Sequence, residues 1–108
     1  MDFRILNRDI NRVVVIGGKG FVGSEIIYSL KQKKISTLSI SRKEIDLLDK
    51  SAMPKLKNLL NENDAVIISS AIAPVKNNHM LTNNIIMFDN ICNVLFEKNV
   101  KKILYVSS

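Results

Sequence analysis

Cysteine and histidine are nearly absent from this chain of 108 residues: Cys92 and His79 are each single, and there is no tryptophan. One thiol excludes an intrachain disulfide and gives no sign of an oxidising compartment. His79 and Cys92 alone supply neither a metal-ligand set nor a nucleophile paired with its base. No apolar run approaches the roughly 18 residues of a membrane span. The first twelve residues, MDFRILNRDINR, lack the apolar centre of a signal peptide. There are no internal repeats. These absences point to a cytoplasmic protein without membrane segments, with residues 1–11 as a lead-in and 12–108 as one domain.

Charge of one sign is also scarce. Ten acids stand against sixteen Lys and Arg, for a net charge of +6. The cations are dispersed at Lys31, Lys33 and Lys34, at Lys55 and Lys57, and at Lys101 and Lys102. Each group falls at an expected helix end or loop, where cations complement the helix dipole. That favours a solvated surface over a nucleic-acid site, with attraction of an anionic ligand as a secondary reading.

What is present is an alternation of strands and helices. Val13-Val14-Val15-Ile16 is a short β-branched run closed by glycines, as in a strand buried on both faces. Val22, Ile26 and Leu30 then recur at helical spacing. Ile35–Ile40 reads as a second strand, and Ile45–Asp49 as a short extended piece. A helix begins near Ser51 with Pro54 in its first turn. Asp64–Ser69 is a strand, and residues 71–78 are a loop. A long helix from about Leu81 to Lys98 sets Ile85, Phe88, Cys92 and Leu95 on one face, broadened by Ile86, Met87, Ile91 and Val94. Lys102–Val106 is the last strand. The order predicts an α/β doubly wound parallel sheet of about five strands, with helices on both faces.

The chemistry lies between Val13 and Ser24. Gly17, Gly20 and Gly23 form G-x-x-G-x-x-G directly after a strand and at the start of a helix, the setting that gives the pattern its specificity. Gly17 permits the tight turn, Gly20 lets the backbone approach a pyrophosphate, and Gly23 lets helix and strand pack closely. The helix N-terminus offers unpaired N–H groups to phosphates. The alternative is a glycine-rich turn that binds nothing. A P-loop is excluded, since no Gly-Lys-Ser/Thr ends the run. Past the second strand, Ser41-Arg42-Lys43 carries no acid before Glu44. An acid there would bond the ribose hydroxyl of NAD, whereas an Arg suits the 2′-phosphate of NADP. The expected cofactor is NADP, with NAD as the alternative. Arg42 and Lys43 as exposed loop cations are the other reading.

These residues resemble the extended short-chain dehydrogenase/reductase family of NAD(P)-dependent epimerases, dehydratases and reductases. VVVIGGKGFVGSEI, EIDLLD, DAVIISSAIAP and NVKKILYVSS carry the resemblance from Arg12 to Ser108. SRKEIDLLD is also similar to a stretch of the NADPH-using GDP-fucose synthases and dTDP-4-dehydrorhamnose reductases. The resemblance implies a dinucleotide loop of Gly17, Gly20, Phe21, Val22 and Gly23, and a 2′-phosphate contact at Arg42. It implies an adenine border at Asp46 and Leu47, small cofactor-flanking residues at Ser70, Ala71 and Ile72, and a cofactor-proximal asparagine at Asn84. Ser108 matches the catalytic Ser/Thr that bonds the substrate oxygen.

The family's acid/base Tyr and its Lys, in Tyr-x-x-x-Lys, are not matched. Tyr28 is followed four residues on by Gln32, and Tyr105 lies near the last residue. The resemblance therefore implies the cofactor domain of a longer or truncated enzyme, whose parent transfers hydride to or from a nucleotide sugar or another small carbonyl substrate. The resemblance is compatible with a homodimer and does not fix the oligomeric state. A non-catalytic dinucleotide-sensing or interaction module is the rival expectation.

Overall fold

The apolar run after Arg12 becomes a central strand because both of its faces are covered. In the computed structural model, which describes residues 11–17, 20–41, 43–69 and 77–106, β1 (Arg12–Ile16) is followed by α1 (Phe21–Gln32) and β2 (Thr37–Ile40). A 3-10 turn (Lys50–Ala52) then leads into α2 (Met53–Leu59), β3 (Asp64–Ile68), α3 (Asn78–Lys98) and β4 (Lys102–Tyr105). The sheet is parallel throughout, in the order β2-β1-β3-β4.

Side chains alternate across each strand and divide the core in two. Val13, Val15, Ala65 and Ile67 pack with Leu30 of α1 on one face. Val14, Ile16, Ile40, Val66 and Ile68 pack with Leu56 of α2 and with Met87, Ile91, Val94 and Leu95 of α3 on the other. Helices therefore cover both faces, as a doubly wound Rossmann sheet requires. β1 and β3 are sandwiched and read as continuous apolar runs. Among the described residues β2 and β4 are the edges; β2 is half-buried and ends on the buried Ile40, while β4 is mostly exposed.

The described residues hold four strands rather than about five. Residues 45–49 alternate in burial like a strand, since Ile45 and Leu47 are core residues, yet they form successive turns. The Glu44 and Ile45 N–H groups return to the Ser41 carbonyl, Asp49 N–H returns to the Asp46 carbonyl, and Leu48 N–H is taken by the Asp46 side chain at 3.0 Å. An Asp that bonds the backbone two residues on makes a turn of a segment that would otherwise extend.

The second strand starts at Thr37 because Ile35 belongs to the helix stop. Lys34 N–H reaches the Lys31 carbonyl, Ile35 N–H reaches that of Leu30, and Lys34 has φ 59°. That is a Schellman closure, and Ile35 and Leu30 share one core cluster, as the motif favours. The long helix starts earlier than expected, since the Asn77 side chain caps it by accepting from Met80 N–H at 2.9 Å. Its buried face is also rotated from the expected one. Met87, Asn90, Ile91, Val94 and Leu95 turn inward, while Ile85 stays 60% exposed and Phe88 meets Tyr105 of β4 edge-on at 5.3 Å. Among the described residues, no helix is long and apolar enough to cross a membrane.

Candidate functional site

In this strand order the chain goes from β1 to β2 on one side and returns past β1 to β3 on the other. The direction reverses between β1 and β3, and the crevice beyond their carboxyl ends is where such sheets take ligands. The glycine turn sits there. Gly17 has φ 94°, in the region that side chains disfavour, and its N–H donates to the Ile40 carbonyl at 2.8 Å. Gly20 N–H returns to the Gly17 carbonyl at 3.1 Å, and a Cβ on Gly20 would lie 3.4 Å from that same oxygen. Gly17 and Gly20 are thus drawn close together, and Gly20 is exposed.

Gly20 is also the N-cap of α1, and no side chain caps the helix. Its first turn holds no acid. α3 and the 3-10 turn, by contrast, are capped by Asn77 and Asp49. The first-turn N–H groups of a helix have no partner within it. Among the described residues no side chain takes them at α1, and with the positive end of the dipole they suit an anion. Of the expected loop residues, Phe21 is 86% exposed, Val22 is half-buried and Gly23 is buried.

Ser69, just past β3, was not among the sequence candidates. Its N–H donates to the Ile16 carbonyl at 2.9 Å, and its hydroxyl lies 3.4 and 3.5 Å from the carbonyls of Ile16 and Gly17. It ties the end of β3 to the turn. The only sequence signal was its place at the head of the small-residue exit.

After β2, the buried Ser41 donates to Glu44 Oε1 at 3.0 Å, which folds the nearest acid back onto the strand end. Asp46 follows on the surface and Leu47 beneath it. The Leu47 carbonyl accepts a 2.9 Å bond from Nδ2 of Asn90, a buried residue of α3 that sequence reasoning did not single out. Asn84, also on α3, lines a groove of about 410 Å³ with Ile85, Phe88, Asp89, Cys92 and Tyr105. In that groove burial, with the Asp89 carboxylate adding, pushes the Cys92 thiol up. Arg42, Ser70, Ala71, Ile72 and Ser108 lie outside the described residues.

The model of the NAD dependent epimerase/dehydratase family matches residues 13–108. The chain belongs to this family. No curated protein matches it in sequence. Solved structures agree with the epimerase/dehydratase assignment at the level of fold. A protein named DdhaC superposes with a TM-score of 0.80 at 22% identity, over 94% of this chain and 31% of its own. A GDP-mannoheptose C4 reductase from Campylobacter jejuni with NADP bound gives 0.75 at 19%, over 91% and 31%. A UDP-glucose 4-epimerase of Thermus thermophilus in complex with NAD gives 0.74 at 21%, over 85% and 36%. The chain thus spans about a third of the length of these neighbours.

Proposed function

We infer that the chain holds a nicotinamide dinucleotide, NADP(H) ahead of NAD(H), as the cofactor-binding part of a nucleotide-sugar epimerase, dehydratase or reductase. The observation that carries this is the uncapped N-terminus of α1, free of acids and reached by a glycine turn at the point where the sheet reverses. That donor set fits a pyrophosphate, held by the backbone from Gly17 to Gly23. Phe21 and Val22 flank it, and Asp46 and Leu47 border the adenine. Arg42 takes the 2′-phosphate, and Lys43 beside it adds positive charge. Ser70, Ala71, Ile72 and Asn84 flank the ribose and nicotinamide.

Ser108 is the proposed hydroxyl donor to the substrate oxygen. The nicotinamide, when bound, supplies or accepts hydride, and the proton chemistry of the family's Tyr-x-x-x-Lys has no counterpart in these 108 residues. The uncovered apolar edge of α3 and β4, with Ile85, Phe88, Ile103 and Tyr105, supports a homodimer in the same reading. Titration calorimetry of the chain with NADPH and NADH tests the site. Tighter NADPH binding that is lost in Arg42→Ala is expected. Equal binding of both cofactors overturns the NADP preference, and binding of neither by the folded chain overturns the site.

A further inference from the structure

The turn that carries Asp46 is fixed by more than its own bonds. The peptide joining Leu47 to Leu48 is held at both ends: its carbonyl accepts from Asn90 Nδ2 at 2.9 Å, and its N–H donates to Asp46 Oδ1 at 3.0 Å. A peptide is planar and stiff. Two bonds at opposite edges of that plane therefore hold its orientation, and with it the direction of the Asp46 carboxylate. The side chains of Ile45 and Leu47 are buried in the core, and the Ile45 and Asp49 N–H groups return to the carbonyls of Ser41 and Asp46. Asn90 is itself buried, 43 residues away in sequence, and it sits on α3, a rigid element. Asp46 is exposed; Oδ1 is engaged, and among the described residues no hydrogen bond falls on Oδ2.

We propose that Asn90 is a positioning residue for the adenine end of the cofactor, acting through the Leu47–Leu48 peptide to aim Asp46 Oδ2 at the 6-amino group of the base. This rests on the dinucleotide reading, in which Asp46 and Leu47 border the adenine. A carboxylate oxygen can accept only from a donor. At position 6 adenine carries an amino donor, whereas hypoxanthine carries an oxygen that repels the carboxylate. The arrangement thus selects the base as well as adding affinity.

The test compares NADPH with its hypoxanthine analogue by calorimetry, on the chain and on Asn90→Leu, Asn90→Gln and Asp46→Ala, each checked for folding by thermal melt. The unsubstituted chain is expected to favour the adenine form by about tenfold, the size of one hydrogen bond to a charged acceptor. Asn90→Leu and Asp46→Ala should each bring the ratio near one, and together they should lower it no further than Asp46→Ala alone. Asn90→Gln keeps the amide but moves the donor out by one methylene, so an intermediate ratio is expected. It decides the matter if Asn90→Leu does not fold.

A variant at Asn90 that weakens both ligands equally and keeps the ratio would overturn the proposal while sparing the dinucleotide site. So would an unsubstituted chain that binds the two forms alike. A folded chain that binds neither form overturns the dinucleotide reading and this proposal with it.

Discussion

Arg12 and Asp64 stand opposite each other on neighbouring central strands, and the guanidinium meets the carboxylate side-on with two bonds, Nε to Oδ1 at 2.9 Å and an Nη to Oδ2 at 2.8 Å. Asp64 is completely buried, and its Oδ2 also accepts from Asn61 N–H at 2.7 Å. The same guanidinium donates to the Leu59 carbonyl at the end of α2. One ion pair therefore joins β1, β3 and the α2–β3 turn at the foot of the sheet, at the opposite end from the glycine turn. Asp64→Ala should cost about 3 kcal/mol, since it strips a bidentate partner from a partly buried Arg. Arg12→Met should cost a similar amount, because it leaves a buried carboxylate with a single N–H donor. Urea unfolding of both variants checks this, and a loss under about 0.5 kcal/mol, the range of a surface pair, would contradict it.

The two turn glycines should separate fold from ligand. Gly17 has φ 94°, so Gly17→Ala is strained and should lower stability by about 1–2 kcal/mol. Gly20 has ordinary extended backbone, φ −74° and ψ 171°. Gly20→Ala should therefore melt within a few degrees of the parent while dinucleotide affinity drops about tenfold or more, as a methyl enters the phosphate path. Paired thermal melts and titrations read both effects.

Lys34 occupies a left-handed position, φ 59°, in the Schellman stop of α1. Lys34→Gly should raise stability by about 1 kcal/mol. Asn99 ends α3 with a similar φ of 57°, but Asn tolerates that region, so Asn99→Gly should change little. Chemical denaturation of the two variants side by side makes the comparison.

A pH dependence follows from Asp49. The Ser51 hydroxyl, at 2.7 Å, and then the Ser51 N–H, at 2.9 Å, hold its carboxylate below the ordinary range. A carboxyl with a depressed folded-state pKa adds stability above its unfolded pKa and loses it as pH falls through the folded one. The parent should therefore lose more stability than Asp49→Asn as pH falls from about 5 to about 2. The carboxylate is fully exposed, so the difference should be small and should shrink in salt. Urea midpoints across that range measure it.

Much of this fold was legible in the sequence. Val13–Ile16 read as a doubly buried strand and Asp64–Ser69 as a strand because apolar, mostly β-branched residues run through both without interruption. The glycine spacing located the turn because backbone conformation alone demands it. Residues 45–49 misled on strand count, since Ile45 and Leu47 alternate in burial as a strand would while Asp46 bonds its own backbone into a turn. The rotated face of α3 was hidden for a related reason. Ile85, Ile86 and Phe88 are as apolar as Met87 and Ile91, and only the position of the sheet decides which of them is covered. Asn90 was one of twelve asparagines. A partner 43 residues away leaves no trace in local spacing.

The glycine turn is laced to the strands beside it: Gly17 N–H ends on the last carbonyl of β2, and Ser69 N–H, after β3, ends on the last carbonyl of β1. These bonds form only once β1 has found both neighbours, and each pairing closes a long loop through an intervening helix, the slow kind of contact in folding. The turn therefore has little shape of its own before the sheet is complete. The Gly17 and Ser69 amides should exchange with solvent only through openings that break the central pairings, not through local fraying. A ligand seated on this turn would accordingly stabilise the sheet as a whole rather than one loop of it.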